Sequence, residues 1–529
     1  MTINARRNML YWSLIGLAAF TIFSCGARID KSHILVIGIT GDTDSINPIL
    51  TRSLFGNELS QMLFLNLMEE QPDFITFEPE LAKSWEVSPD RKAYTFHLRT
   101  DVYWTDSTKV TADDVLFTFQ LQKNKDIGWS GSSSKDHIAD VRKRDDSTVV
   151  FIFDRVYLDQ LMDINEGVIL PAHILNHLAP EEIKSAPFSL MPVTDGPYRL
   201  KSWMPNQYIE LEANDLFYDA SLPNIKSIVF KIVPDKYQLL NQLKTGEVHF
   251  VEGVPAKEIS SGEDDYSGIV FQHFPYLQYV QIFWNMKKPL FQDVRIRKAM
   301  TLAIDRQALV NFLLTGYGKV CRGPIHPQLW AYNPNLEDVP YNPEKAKMLL
   351  KECGFQDNDQ DGFLEKDGQE ISFTLMTNIG SETKEDAQVM IQEMLKKIGV
   401  RVVIQRFEWS VFVDRVVARD FDAVLMSMMS ATKVDLFPAW HSSMSGPEGF
   451  NLSCYANAEV DRLLETARAL ADQDEAKNLW YHFQDIISRD VPGTFLWVPE
   501  RVVGLDKRIK NVRFSPASAY FNLPEWSFE

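Results

Sequence analysis

Cysteine is scarce in this chain, with four in 529 residues: Cys25, Cys321, Cys353 and Cys454. Their wide spacing fits no zinc-site pattern and is far too thin for a disulfide-built scaffold. Positive charge is also short. Lys and Arg number 54 against 72 Asp and Glu, a net charge of −18, and no basic run interleaved with aromatics interrupts the chain. Phosphate backbones need clustered cations, so a nucleic-acid partner is excluded. Catalytic signatures are missing too. The chain has no Gly-x-Ser-x-Gly elbow, no His-Glu-x-x-His, no Gly-x-x-x-x-Gly-Lys and no Gly-x-Gly-x-x-Gly. Its ten histidines are scattered, and so many carboxylates place Asp/Glu pairs near each other by chance. No repeat of fixed period is visible, which excludes solenoids and propellers. No cofactor is expected. What is present is ordinary globular composition, 45% hydrophobic and 24% charged, in a chain long enough for two or three domains.

The N-terminus is the first positive signal. Arg6-Arg7 precedes the mostly apolar residues 9–23, which end in Ile22-Phe23-Ser24-Cys25. A short apolar run behind a positive n-region reads as an export signal rather than a spanning helix. It resembles a bacterial lipoprotein signal, which implies removal of residues 1–24 and acylation of Cys25. An ordinary secretory signal is the alternative. Loss of Cys25 into a lipid anchor leaves Cys321, Cys353 and Cys454, so at most one internal disulfide can form.

Residues 81–119 organise the rest. Tyr94, Phe96 and Leu98 alternate with Thr95, His97 and Arg99, which predicts a half-buried strand. The aromatic run Val102-Tyr103-Trp104 suggests a neighbouring strand. Thr111, followed three residues later by Asp114 and then by Val115, Leu116 and Phe119, predicts a helix with a capping box. Residues 124–136, rich in Gly, Ser and Lys and containing Trp129, read as an exposed loop.

The order of these residues closely resembles the signature of the extracellular solute-binding proteins that serve peptide and nickel ABC importers. The matching positions are Ala82, Trp85 and Val87; Phe96, Leu98 and Arg99; Trp104 and Asp106; and Thr111, Ala112, Asp114 and Val115. Ser107 stands where the family usually has glycine. Further matches are Gly196-Pro197-Tyr198, Asn214-Asp215 with Phe217-Tyr218, Lys244-Thr245-Gly246-Glu247, and the helix start Asp293-Val294-Arg295 leading to Ala303-Ile304-Asp305-Arg306. His249 occupies a position where the family often has aspartate. Strands alternate with helices along most of the chain, arguing α/β units.

The resemblance implies an α/β, two-lobed fold of the type II periplasmic-binding-protein kind. Lobe I would comprise residues 31–70, 190–270 and 490–529, with an inserted subdomain at 71–189, and lobe II residues 271–489. It implies capture of a peptide or peptide-like solute by hinge closure, without turnover, by a monomer. Delivery would be to ABC permease and ATPase subunits from a lipid-anchored position in the bacterial envelope. Rival readings are a non-peptide ligand (an oligosaccharide, an opine or a metal chelate), a lipid-anchored hydrolase, and a sensor or chaperone that feeds no transporter.

Ligand-facing candidates are Asp42, Asp44, Trp129, Trp409, Met428, Met429, Thr432, Asp435 and Trp440. Asp42 and Asp44 follow the first strand in a turn-forming cluster, where α/β sheets present binding groups. Residues 427–450 match the loop that in peptide-binding relatives carries the aspartate pairing with the peptide's α-ammonium group. Here Ala431 or Thr432 falls on that position and only Asp435 is acidic, so recognition of a free amine is expected to be weak or differently placed. The run Asp357-Asn358-Asp359-Gln360-Asp361-Gly362 opens like a calcium loop, but Gly368 occupies the twelfth position where a bidentate Glu is needed. No metal is expected.

Overall fold

The computed structural model describes residues 34–259, 266–447 and 449–529; the signal segment and Cys25 lie outside them. Among the described residues, twelve strands form one continuous sheet in two halves. The first half is built on parallel strands Ile34–Ile39, Ser227–Ile232 and Phe250–Glu252, extended by antiparallel Tyr208–Ala213 and Tyr198–Met204. The second half has parallel strands Arg401–Phe407, Ser372–Asn378 and Ala423–Met429, followed by antiparallel Gln278–Trp284. Each half packs its own apolar core, around Leu35, Ile37 and Phe230 in one and Ile282, Leu375 and Leu425 in the other.

Two connections join the halves, side by side. The 14-residue strand Gly493–Asp506 pairs early with Gln278–Trp284 and late with Ile269–Pro275. Those two partner strands are themselves separated only by Tyr276-Leu277. Within the sheet the chain passes between the halves at Tyr276-Leu277 and near Pro499, and Ile269–Pro275 is paired along its whole length with the late part of Gly493–Asp506. The two crossings are short and extended, with no helix between them, the kind of connection that can act as a hinge.

The first lobe carries an antiparallel four-stranded sheet in the order Ala82–Val87, Ala93–Leu98, Thr148–Phe153, Ile138–Asp145. Tyr94, Phe96 and Leu98 are its buried face, as the alternation predicts. The neighbour of that strand is not 102–104, however. Tyr103 makes only an isolated bridge to Lys109, and Trp104 is fully buried beneath it. Ser107 sits at φ +72°, a conformation that favours glycine. The helix Ala112–Lys123 has the predicted box: Thr111 N–H donates to Asp114 Oδ2 at 2.8 Å, and the Thr111 side chain accepts from Asp113 N–H. Gly196 is required by contact, since a Cβ there would lie 2.6 Å from the Leu63 carbonyl carbon.

Residues 124–136 are largely exposed, as expected of a loop, but Ile127, Trp129, Ser134 and Lys135 are buried. Lys135 is buried and donates to the carbonyls of Asp163 at 2.5 Å and Glu166 at 2.8 Å, at the end of helix Gln160–Asn165, with the Trp129 ring beside its ammonium. Those C-terminal carbonyls have no intrahelical donors, and the lysine supplies them. Cys321, Cys353 and Cys454 are all free thiols.

Candidate functional site

Each half has parallel strands, and the loops after such strands are where α/β sheets bind ligands. In the first lobe, Asp42 and Asp44 follow the strand Ile34–Ile39, but both carboxylates are occupied locally. Asp42 accepts from Trp203 Nε1 at 3.1 Å and from Asn206 N–H at 2.8 Å. Asp44 accepts from Thr51 Oγ1 and from the Arg52 and Ser53 amides; despite the opposing effect of burial, these bonds hold it down at about 2. These two residues shape the loop.

In the second lobe three strands end at Asn378, Phe407 and Met429. Just there Ile379, Trp409 and Met429 are 44%, 61% and 45% exposed, an apolar rim at one sheet edge. Trp409 stacks on Phe412, their rings 5.9 Å apart. Met428 is half-buried against the apolar clusters beneath. Trp440 and Trp129 belong to cores instead: Trp440 packs with Phe483 and Phe495, and Trp129 lies in the first lobe's apolar cluster.

The lobes touch along two seams. One is exposed and ionic, with Lys257 meeting Glu382 and Asp386, each at 3.4 Å, and Tyr237 OH donating to Glu382 at 3.2 Å. The other is buried. Lys433 Nζ meets Asp163 Oδ1 at 2.7 Å, and Tyr157 OH donates to the other oxygen at 2.5 Å. Leu158 N–H donates to Leu470 O at 2.9 Å, and Arg91 to Ala471 O at 3.1 Å. Phe74, on the turn after the strand Met68–Glu70, is buried in the second lobe's cluster with Leu277, Tyr279, Val434 and Trp440.

Electrostatics at the buried seam follow from burial. Desolvation pushes Asp159 up to about 6 against the pull of Lys433, and raises Glu166 against the pull of Lys135. Lys433 is itself held above its usual range: burial disfavours its charge, but Asp163 outweighs that. Glu70 is pushed up to about 7 by burial, opposed by the Thr432 side chain and reinforced by Glu166 and Asp73. Asp435 accepts from Phe437 N–H at 3.1 Å and lies 3.4 Å from Arg468. Met428 lies on the strand Ala423–Met429, and Thr432 and Asp435 lie on the loop that follows it. Sequence reasoning missed Phe74, Asp163 and Lys433; of these only Lys433, inside the candidate loop, carried a local signal.

Among the described residues one carboxylate set could hold a metal, Asp357, Asp359 and Asp361, whose oxygens lie within 4.8 Å of one another on an exposed turn. No helix among them is long and apolar enough to cross a membrane.

The sequence profile of bacterial extracellular solute-binding proteins, family 5 (middle), matches residues 76–448. The chain belongs to this family. It is 32% identical to the oligopeptide-binding protein AppA of Bacillus subtilis, over 93% of this chain and 91% of that protein. It is 28% identical to the dipeptide-binding protein of Escherichia coli, over 94% of each. The solved structure of Bacillus subtilis AppA with a nonapeptide superposes with a TM-score of 0.78, covering 94% of this chain and 99% of that one at 31% identity. That of NikZ from Campylobacter jejuni with Ni(L-His) gives 0.81 at 25% identity, covering 94% and 99%. The fold of this solute-binding protein is that of the two-lobed binding proteins it superposes on.

Proposed function

We propose that this family 5 protein captures a peptide between its lobes, closes over it without cleaving it, and presents the closed form to an ABC permease. The observation that carries the reading is the two-strand hinge between lobes that meet across a cleft, in a chain matching nearly the whole length of a relative solved with a nonapeptide. Closure is the means of binding: ligand contacts made with both lobes exist only in the closed form, so ligand shifts the open–closed equilibrium by their free energy. The apolar rim of Ile379, Trp409 and Met429 suits side chains of varied shape, and thioethers adapt to irregular partners. Acylation at Cys25 would hold the protein at the outer face of a membrane as a monomer.

The test is native mass spectrometry of the purified protein, followed by calorimetry with whatever co-purifies. A peptide recovered intact, binding one to one, supports the reading. Recovery of a metal chelate, sugar or opine, or progressive cleavage of a bound peptide, sinks it.

A further inference from the structure

We infer that the second lobe carries a separate ligand site, for a small amphipathic carboxylate, in a concavity at the end of the sheet opposite the loops that follow its parallel strands. The concavity measures about 460 Å³, within the roughly 300–1,000 Å³ of small-molecule sites. Its floor is apolar, with Phe355 and Leu364 half-buried and Ile398 buried. Its rim carries the exposed lysines Lys347, Lys351 and Lys397. The parallel strands Ser372–Asn378 and Arg401–Phe407 begin beside it and run away to the loops that hold Ile379 and Trp409. Leu364 N–H donates to Gly399 O at 2.8 Å, two residues before the second of those strands. A ligand held here therefore lies a strand's length from the loops of the interlobe site.

The rim sets the ligand's charge. A chain of net charge −18 repels anions over most of its surface, so only a local group of cations can hold one. Among the described residues the ammonium groups of Lys351 and Lys397 have no ion pair or hydrogen bond. Lys347 meets Glu344 at 3.0 Å in an exposed pair of the kind that contributes little, so it is free to turn to a better partner. Acids on the adjoining turn are engaged: Asp361 faces Arg401 at 3.9 Å, while Asp357 and Asp359 accept the Gly362 and Asp361 amides. Helix ends account for part of this. Lys351 lies in the last turn of Pro343–Glu352 and Lys397 caps Glu382–Lys396, places where the dipole favours a cation. The dipole does not account for the apolar floor between them. Backbone shapes that floor: Gly399 sits at φ +78°, and a Cβ there would lie 2.6 Å from Leu364 Cγ. A hydrocarbon body covers Phe355, Leu364 and Ile398, and a carboxylate at the rim accepts charge-assisted bonds from the lysines. An amphipathic anion answers both halves of the concavity; a neutral or cationic amphiphile answers only one.

The experiment is calorimetry on the full chain with decanoate, decanol and decyltrimethylammonium, each below its aggregation concentration. The proteins are wild type, the double variant Lys351→Gln/Lys397→Gln, and Leu364→Ala. Wild type should bind a single decanoate about tenfold tighter than decanol, and decyltrimethylammonium not measurably. Added salt should shrink that preference. The double variant should bind decanoate no better than decanol, with its melting temperature unchanged. Leu364→Ala should weaken decanoate and decanol alike and keep the preference. No saturable decanoate binding, equal binding of decanoate and decanol by wild type, or a preference that survives in the double variant overturns the inference. Sedimentation of Cys25→Ser protein with phosphatidylglycerol vesicles that depends on the two lysines, without decanoate binding, also overturns it and makes this face a membrane contact.

Discussion

Lys433 of the second lobe and Asp163 of the first meet across the cleft at 2.7 Å, with Asp163 only 3% exposed. On the proposed closing motion, closure completes this pair and opening dissolves it. Removing the ammonium leaves the buried carboxylate with only the Tyr157 hydroxyl and the field of Lys135, whose ammonium is bonded to backbone carbonyls, a loss of up to about 3–5 kcal/mol when it cannot rehydrate. Here it can, by opening. Lys433→Met should therefore enlarge the radius of gyration of the unliganded protein in solution scattering and weaken ligand binding at least tenfold, with little change in the fold of either lobe. Asp163→Asn should act in the same direction and more mildly. An unchanged scattering curve for Lys433→Met would show that the pair does not hold the lobes together.

Phe74 is 3% exposed, yet most of what buries it belongs to the other lobe. Truncating such a side chain inside one core costs about 3–5 kcal/mol. Across a closing interface the cost falls mainly on the closed form. Phe74→Ala should thus weaken ligand binding on the order of 100-fold, while thermal unfolding without ligand shifts by less than a cavity of that size would cause. The opposite pattern, a large drop in melting temperature with affinity intact, would make Phe74 an ordinary core residue.

Glu58 on the helix Leu54–Leu63 lies beside Glu252 and Arg501, close to the hinge. Burial first, then the Glu252 charge, push its carboxyl up to about 8, against Arg501 and Ser518. The folded protein therefore keeps a proton there that the unfolded chain releases near 4.5. Between those two values the native state binds more protons, so stability from this group is present at acid pH and lost as pH rises toward 8. Melting temperature should fall across that window in wild type and fall less in Glu58→Gln. Parallel slopes for the two proteins would exclude Glu58 as the source.

Much of the fold was legible because it rests on local pattern. The Thr111–Asp114 box and the alternation of Tyr94, Phe96 and Leu98 each name an element that the structure contains. His249, in place of an aspartate, does the same job as an acceptor: its Nδ1 takes the Val36 N–H at 3.0 Å. What the sequence hid was long-range. Trp129 looked exposed because its neighbours are small and polar, and only the carbonyls of residues 163–166 explain why Lys135 draws that loop inward. Phe74 and Val434 are far apart in the chain, and no periodicity announces that they share one core. Carboxylates such as Asp42 look free in a sequence until the amides that occupy them are seen.

Cys25 lies outside the described residues, and its role rests on Arg6-Arg7 and the run ending Ile22-Phe23-Ser24. Two acyl chains suffice for stable anchoring where one gives only reversible binding. Cys25→Ser should move the protein from the membrane fraction to the soluble envelope fraction. Unaltered fractionation, with no acyl mass on the mature N-terminus, would disprove the anchor.

Asp435 is the one acid in the loop that carries the amine-binding aspartate in peptide-binding relatives, so it is the obvious candidate for amine recognition. Its surroundings argue otherwise. One oxygen caps Phe437 N–H at 3.1 Å, at the start of the short helix Phe437–Trp440, and the other lies 3.4 Å from Arg468, whose guanidinium also covers the Phe437 ring. The Arg468 side chain is 42% exposed, so the pair is screened and contributes about 1 kcal/mol or less. The cap survives in part when Asp becomes Asn, because the amide oxygen still accepts. Asp435→Asn should therefore lower stability by about 1 kcal/mol or less and leave the ratio of free to acetylated peptide affinity unchanged. Calorimetry with free and Nα-acetylated peptides on wild type and Asp435→Asn side by side checks this. A collapsed ratio in Asp435→Asn would return amine recognition to this carboxylate.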